Sequence, residues 1–137
     1  MATILHPMPY PTRNKNFRAA GTISPGDLVV VDSSGYVTRT TESSDDEWIG
    51  QASYNASQFQ ANDRDYYSSG DQCEVHLRGD VRKTPLSVTT ALITPGNFVK
   101  LGSPGKVAVE ATAATKTLNT VGMVIVGGSS TCEWIEL

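Results

Sequence analysis

The stretch ISPGDLVVVDSSGYV, Ile23 to Val37, returns seventy positions later as ITPGNFVKLGSPGKV, Ile93 to Val107. Ile23, Pro25, Gly26, Val29, Ser33, Gly35 and Val37 meet identical residues, and Ser24, Asp27 and Leu28 meet Thr94, Asn97 and Phe98. Each match has a backbone reason. Pro25 or Pro95 sets φ, and Gly26 or Gly96 accepts positive φ, which makes a tight turn. The apolar run that follows is a strand, and Ser-x-Gly folds it back as a hairpin whose second arm begins near Val37 or Val107.

The correspondence extends outward from the hairpins. EWIGQASYN, from Glu47, matches NTVGMVIVG, from Asn119, as apolar-Gly-x-apolar strands, and QCEVHL, with Cys73, matches TCEWIEL, with Cys132. Each half is therefore a hairpin, a glycine-bearing strand and a closing Cys-Glu strand. Two copies are too few for a solenoid. They predict two halves of one closed barrel or sandwich related by a pseudo-two-fold axis, an all-β body over residues 21–137 with repeat halves about 21–80 and 91–137.

Strands are expected at Asp27–Asp32, Tyr36–Arg39, Glu47–Ala52, Gln72–Leu77, Val81–Thr84, Phe98–Leu101, Val107–Ala111, Thr120–Val126 and Thr131–Leu137, where Val, Ile, Thr and Tyr cluster between Gly and Pro turns. No amphipathic helix is evident. Ser87–Ile93 is rich in β-branched residues and soon meets Pro95, so it reads as a loop. The first half carries an insertion, NASQFQANDRDYYSSG from Asn55 to Gly70, where the second half has only Gly127-Gly128. Loops this long in a small domain tend to be functional, so Phe59, Tyr66 and Tyr67 are contact candidates.

Residues 1–20 are rich in Pro, Asn, Arg and Lys with no helical or strand period, and read as an extended N-terminal arm. At about 3.3 Å per residue such an arm reaches roughly 60 Å. It cannot bury its own apolar residues, so Ile4, Leu5, Met8, Tyr10 and Phe17 would be buried in a partner, with His6, Arg13, Lys15 and Arg18 alongside them. No basic leader followed by an apolar run and no bilayer-length segment is present, because Pro7, Pro9 and Pro11 interrupt the start. A cytoplasmic site of synthesis is expected.

With 137 residues the chain is sized for one domain. Its net charge of -3 and pI near 5.2, with scattered Lys and Arg, argue against nucleic acid as a partner, and nothing points to a membrane.

Chemistry is sparse. There is no GxSxG, HExxH, P-loop or GxGxxG. Glu74 and His76 share a strand face, where a solvated pair is commoner than an acid–base pair. The acidic residues Asp45, Asp46 and Glu47 do not converge, and Asp63 with Asp65 lacks the EF-hand glycine and distal glutamate. No catalytic, cofactor or metal residue is assigned, and the chain is expected not to be an enzyme. Cys73 and Cys132 read as small buried hydrophobes, with a disulfide left open. Trp48 and Trp134 occupy non-equivalent places and read as core or interface anchors. A lipoyl-type carrier would need a lysine at a hairpin tip, and Lys106 lacks the flanking pattern.

The arm leading into AAGTISPGDLVVVDSSGYV, then WIGQA, GDQCEVHLRGDV, ALITPGNFVKLGSPGKV and NTVGMVIVGGSSTCEWIEL resembles the capsid decoration (cement) proteins of tailed bacteriophages, a family distantly similar to the phage lambda head decoration protein. The likeness covers Ala19 to Leu137. It implies a β-tulip or small β-barrel, a homotrimer at three-fold and quasi-three-fold positions on the outer capsid surface of a virion, and the major capsid protein as partner, with the decoration protein clamping neighbouring capsomers. A carbohydrate or host-surface binding module of a phage tail or head fibre is the alternative, with the tyrosine loop as a stacking site.

Overall fold

The computed structural model describes residues 14–42, 48–55, 59–60, 63–79, 81–86, 93–110, 116–117, 119–128 and 130–137. Ten strands follow in order: β1 (Asn14–Arg18), β2 (Leu28–Val31), β3 (Val37–Arg39), β4 (Trp48–Ala52), β5 (Gln72–Leu77), β6 (Val81–Pro85), β7 (Phe98–Leu101), β8 (Val107–Val109), β9 (Thr120–Val126) and β10 (Thr131–Glu136). They form two five-stranded antiparallel sheets, ordered β1-β5-β4-β2-β3 and β6-β10-β9-β7-β8. The second order is the first advanced by five strands.

The registers correspond as closely as the orders. Val29 lies opposite Gly50 and Val99 opposite Gly122, and a register shift follows each, between Val29 and Val30 and between Val99 and Lys100. Gly50 stands opposite Leu77, as Gly122 stands opposite Glu136. Both glycines are required by close approach. A Cβ on Gly50 would meet the His76 carbonyl, and one on Gly122 would meet the Trp134 ring.

The expected strands are present, and β1 is an addition. NKNFR has no alternation and one large apolar residue, so pattern alone left it in the arm. It becomes a strand because β5 offers an open edge: Asn14 pairs with His76, Lys15 with Val75 and Phe17 with Cys73. The irregular arm expected through residue 20 thus gives way to a strand at Asn14.

The sheets are not closed into a barrel. In each, among the described residues, the outer strands meet only through one isolated parallel bridge, Ala19 to Val37 in the first half and Leu86 to Val107 in the second. With β3 and β8 only three residues long, there is no length for a continuous ladder to close either sheet.

Each half nonetheless has its own core. The first gathers Ala19, Ile23, Val29, Val37, Ala52, Cys73 and Val75. The second gathers Leu86, Ile93, Val99, Val107, Val124, Cys132 and Trp134 at the corresponding register positions. Three of these pairs are unequal, with Ala19, Ala52 and Val75 facing the roles of Leu86, Val124 and Trp134. Protein interiors do not leave such volume empty. Phe59 and Tyr67, from the insertion, fill it in the first half and are 4% and 0% exposed.

The two halves touch one-sidedly. Leu28 and Trp48, from the outward face of the first sheet, belong to the second core, with Val30 packed against it. Phe98 and Thr120, their register counterparts, do not belong to the first core. The Leu28 N–H donates to the Gly105 carbonyl (2.9 Å), the Gly105 N–H donates to the Thr40 carbonyl (3.1 Å), and the Gln51 amide donates to the Lys83 carbonyl (2.9 Å). One face of the first sheet thereby covers the side of the second where β6 and β8 stand apart.

Candidate functional site

The seam between the halves holds most of the buried polar chemistry. Trp48 and Trp134 stand 5.7 Å apart between ring centroids, tilted by 52°. Arg78 and Arg82 lie over the Trp48 ring, their guanidinium carbons 4.4 and 5.5 Å from its centroid. Arg82 is fully buried on β6, where alternation points it inward with Thr84. Its Nε donates to Glu136 Oε1 (2.8 Å) and its Nη2 to the Leu77 carbonyl (2.6 Å). Glu136 Oε2 accepts from the Gly79 N–H (2.9 Å) and lies 3.6 Å from Arg78. A charge this deep is tolerable only when paired and hydrogen-bonded, so this group works as a clasp between sheets. The Trp134 indole N–H donates to the Thr84 hydroxyl (3.0 Å). Sequence inspection missed the clasp, because an arginine in VRKTP looks solvated unless β6 is known to face a neighbouring sheet.

Two further carboxylates are buried. Asp27, in the first Pro-Gly turn, accepts from the Ser24 N–H (2.8 Å). Burial raises its carboxyl pKa, against the opposing pull of that hydrogen bond, Arg39 and Lys106. Glu110 accepts the hydroxyls of Thr117 and Thr120, each at 2.9 Å. Both are turn supports.

The thiols are buried, free and in different cores. Burial pushes Cys73 up to about 12, helped by the Asp27 and Glu74 charges, and pushes Cys132 up to about 11. Both shifts disfavour the thiolate that nucleophilic or redox chemistry requires. Glu74 and His76 share the half-exposed face of β5, where Glu74 accepts from the Asn14 amide (2.9 Å). Among the described residues, no group of three or more His, Cys, Asp or Glu is placed to hold a metal ion, and no helix is long and apolar enough to cross a membrane.

Of the arm positions expected to touch a partner, Ile4, Leu5, His6, Met8, Tyr10 and Arg13 lie outside the described residues. Lys15, Phe17 and Arg18 are on β1. Phe17 is half-buried against the first core, Lys15 lies 6.0 Å from its ring centroid, and Arg18 lies 5.8 Å from that of Tyr36.

The contact loop divides. Phe59 and Tyr67, expected to face a partner, are core residues, 4.8 Å apart between centroids, with the Tyr67 hydroxyl donating to the Ser53 carbonyl (2.6 Å). Burial foremost pushes that phenol up to about 12. Tyr66 stays on the surface at 37% exposure beneath Arg64, which pairs with Asp71 at 2.7 Å. Tyr54, not singled out from the sequence, is the most exposed large apolar side chain among the described residues at 62% and packs edge-on to Phe59. A shallow groove, lined by Gly21, Thr22, Thr38, Arg39, Thr41 and Pro104, runs beside the seam.

Compared with known protein families and with curated proteins, the chain matches no family profile and no curated sequence.

Proposed function

We propose that this chain is a structural decoration protein of a viral head shell, binding the outer capsid surface as a homotrimer and clamping neighbouring capsomers of the major capsid protein. The observation that carries the reading is β1: residues 14–18, which directly follow the proposed arm in sequence, form an exposed edge strand with Lys15 and Arg18 on the surface. An edge of this kind supports pairing with a neighbouring shell protein. The buried thiols, and the Asp27, Glu110 and Arg82–Glu136 groups engaged in turns and the clasp, fit a scaffold rather than a catalyst. In each half the single bridge between the outer strands supports a β-tulip description, and the matched registers support a duplicated unit, its copies stacked head to tail rather than across a two-fold axis. A sugar-stacking loop has less support, since Phe59 and Tyr67 are spent on the core.

Deleting residues 2–13, which spares β1, and measuring occupancy on undecorated shells tests this. Three arms acting together give an avidity gain of about a hundredfold or more. The deletion is therefore expected to lower apparent affinity by at least that factor, and unchanged occupancy overturns the reading.

A further inference from the structure

The outward face that the first sheet buries against the second has a counterpart on the second sheet. Register carries Leu28 to Phe98, Gln51 to Met123, and His76 to Ile135. Leu28 is fully buried, whereas Phe98 and Met123 are only half-buried and Ile135 is 40% exposed, with Val126 and Leu137 beside them at 51% and 53%. Conversely, the β6 side of the second half is covered by the first, while the matching β1 side of the first half is open. Lys15, at the position of the buried Arg82, is exposed, and Val31, at the position of the buried Leu101, is 40% exposed, with Tyr36 at 38%. The molecule thus carries one used and one unused copy of both surfaces of a single contact.

We propose that copies of this chain associate head to tail, the β7-β9-β10 outer face of one (Phe98, Met123, Ile135) docking on the β1–β3 side of the next and repeating between molecules the contact that joins the halves within one. A second copy is the occupant because it presents this face in the strand register already matched within one chain. Two different surfaces meet, so the contact is heterologous and closes into a ring or runs on as a filament. The ring of three rests on the proposed decoration function; the head-to-tail contact does not. At the new contact Lys15 takes the place of Arg82, with the Glu136 carbonyl of the preceding copy standing where that of Leu77 stands.

The intramolecular Gln51–Lys83 hydrogen bond locates the test, because its intermolecular counterpart is Met123 against Asn16. Single variants Met123→Cys and Asn16→Cys of the full chain are treated with a short bis-maleimide, alone and mixed, and native mass is measured beside them. The buried Cys73 and Cys132 supply an unreactive background. Expected are an oligomer by mass, cross-linked dimers only in the mixture, and a ladder ending at three copies for the double variant. Met123→Glu is expected to lower the association constant at least tenfold with the thermal midpoint of the monomer unchanged. A monomer at all concentrations, or an oligomer that ignores Met123→Glu and cross-links no better in the mixture, overturns the proposal. An oligomer that cross-links as expected yet fails to bind shells leaves it standing and removes the decoration function instead.

Discussion

Trp48 belongs to the first sheet by chain position and to the second core by packing, its ring 5.7 Å from that of Trp134. Three unlike interactions converge on it: the second indole, the guanidinium groups of Arg78 and Arg82, and the aliphatic core around Leu28. Truncation would remove all three at once. Trp48→Ala is expected to cost about 3–5 kcal/mol, the range for a large aromatic lost from a core. Urea titration checks it. A loss below about 1 kcal/mol would show that the halves hold together without this ring.

The clasp beneath that ring predicts a non-additive pair. Glu136→Gln leaves the Arg82 charge buried without its counter-charge, which typically costs about 3–5 kcal/mol. Arg82→Met removes the buried charge and keeps much of the stem volume, so the double variant should recover part of the loss. Denaturation of the two singles and the double gives the coupling directly. Additive losses would mean that the two groups are screened from each other.

Asp27 makes the pH behaviour of the fold specific. Its pKa is raised above the ordinary value of 3.8 by burial. Below 3.8 both folded and unfolded chains carry a neutral carboxyl. As pH rises the unfolded chain ionises first, so the folded state binds more protons and loses stability until the folded carboxyl has ionised too. Asp27→Asn, which installs the residue found at the matching position Asn97, removes this contribution. The stability difference between variant and parent, measured from pH 3 to 7, should shift in favour of the variant as pH rises. A difference constant across that range contradicts the assignment.

Much of this architecture is legible in the repeat. The two Pro-Gly hairpins, the paired glycines and the Cys-Glu strands set eight of the strands, since each demands a local geometry that few residue types supply. Other features are invisible for physical reasons. NKNFR owes its strand to the edge of β5, a partner nearly sixty residues away, and Arg82 owes its burial to a sheet that is not its own. The aromatic residues of the insertion look alike in sequence whether they face inward or outward. Their clue is a deficit elsewhere: Ala52 and Val75 stand where the other half has Val124 and Trp134, and something must occupy the difference.

That deficit yields a prediction for the insertion. If Phe59 and Tyr67 complete the first core, Phe59→Ala should cost about 3–5 kcal/mol through transfer and cavity terms together. Tyr67→Phe keeps the ring but leaves the Ser53 carbonyl without its donor, a loss of about 1–3 kcal/mol for a buried acceptor. Tyr66→Ala, on the surface, should stay within about 0.5 kcal/mol of the parent. Thermal and urea unfolding of the three variants separates these outcomes. Were all three near neutral, the loop would be a detachable appendage, and the smaller residues of the first core would need another filling.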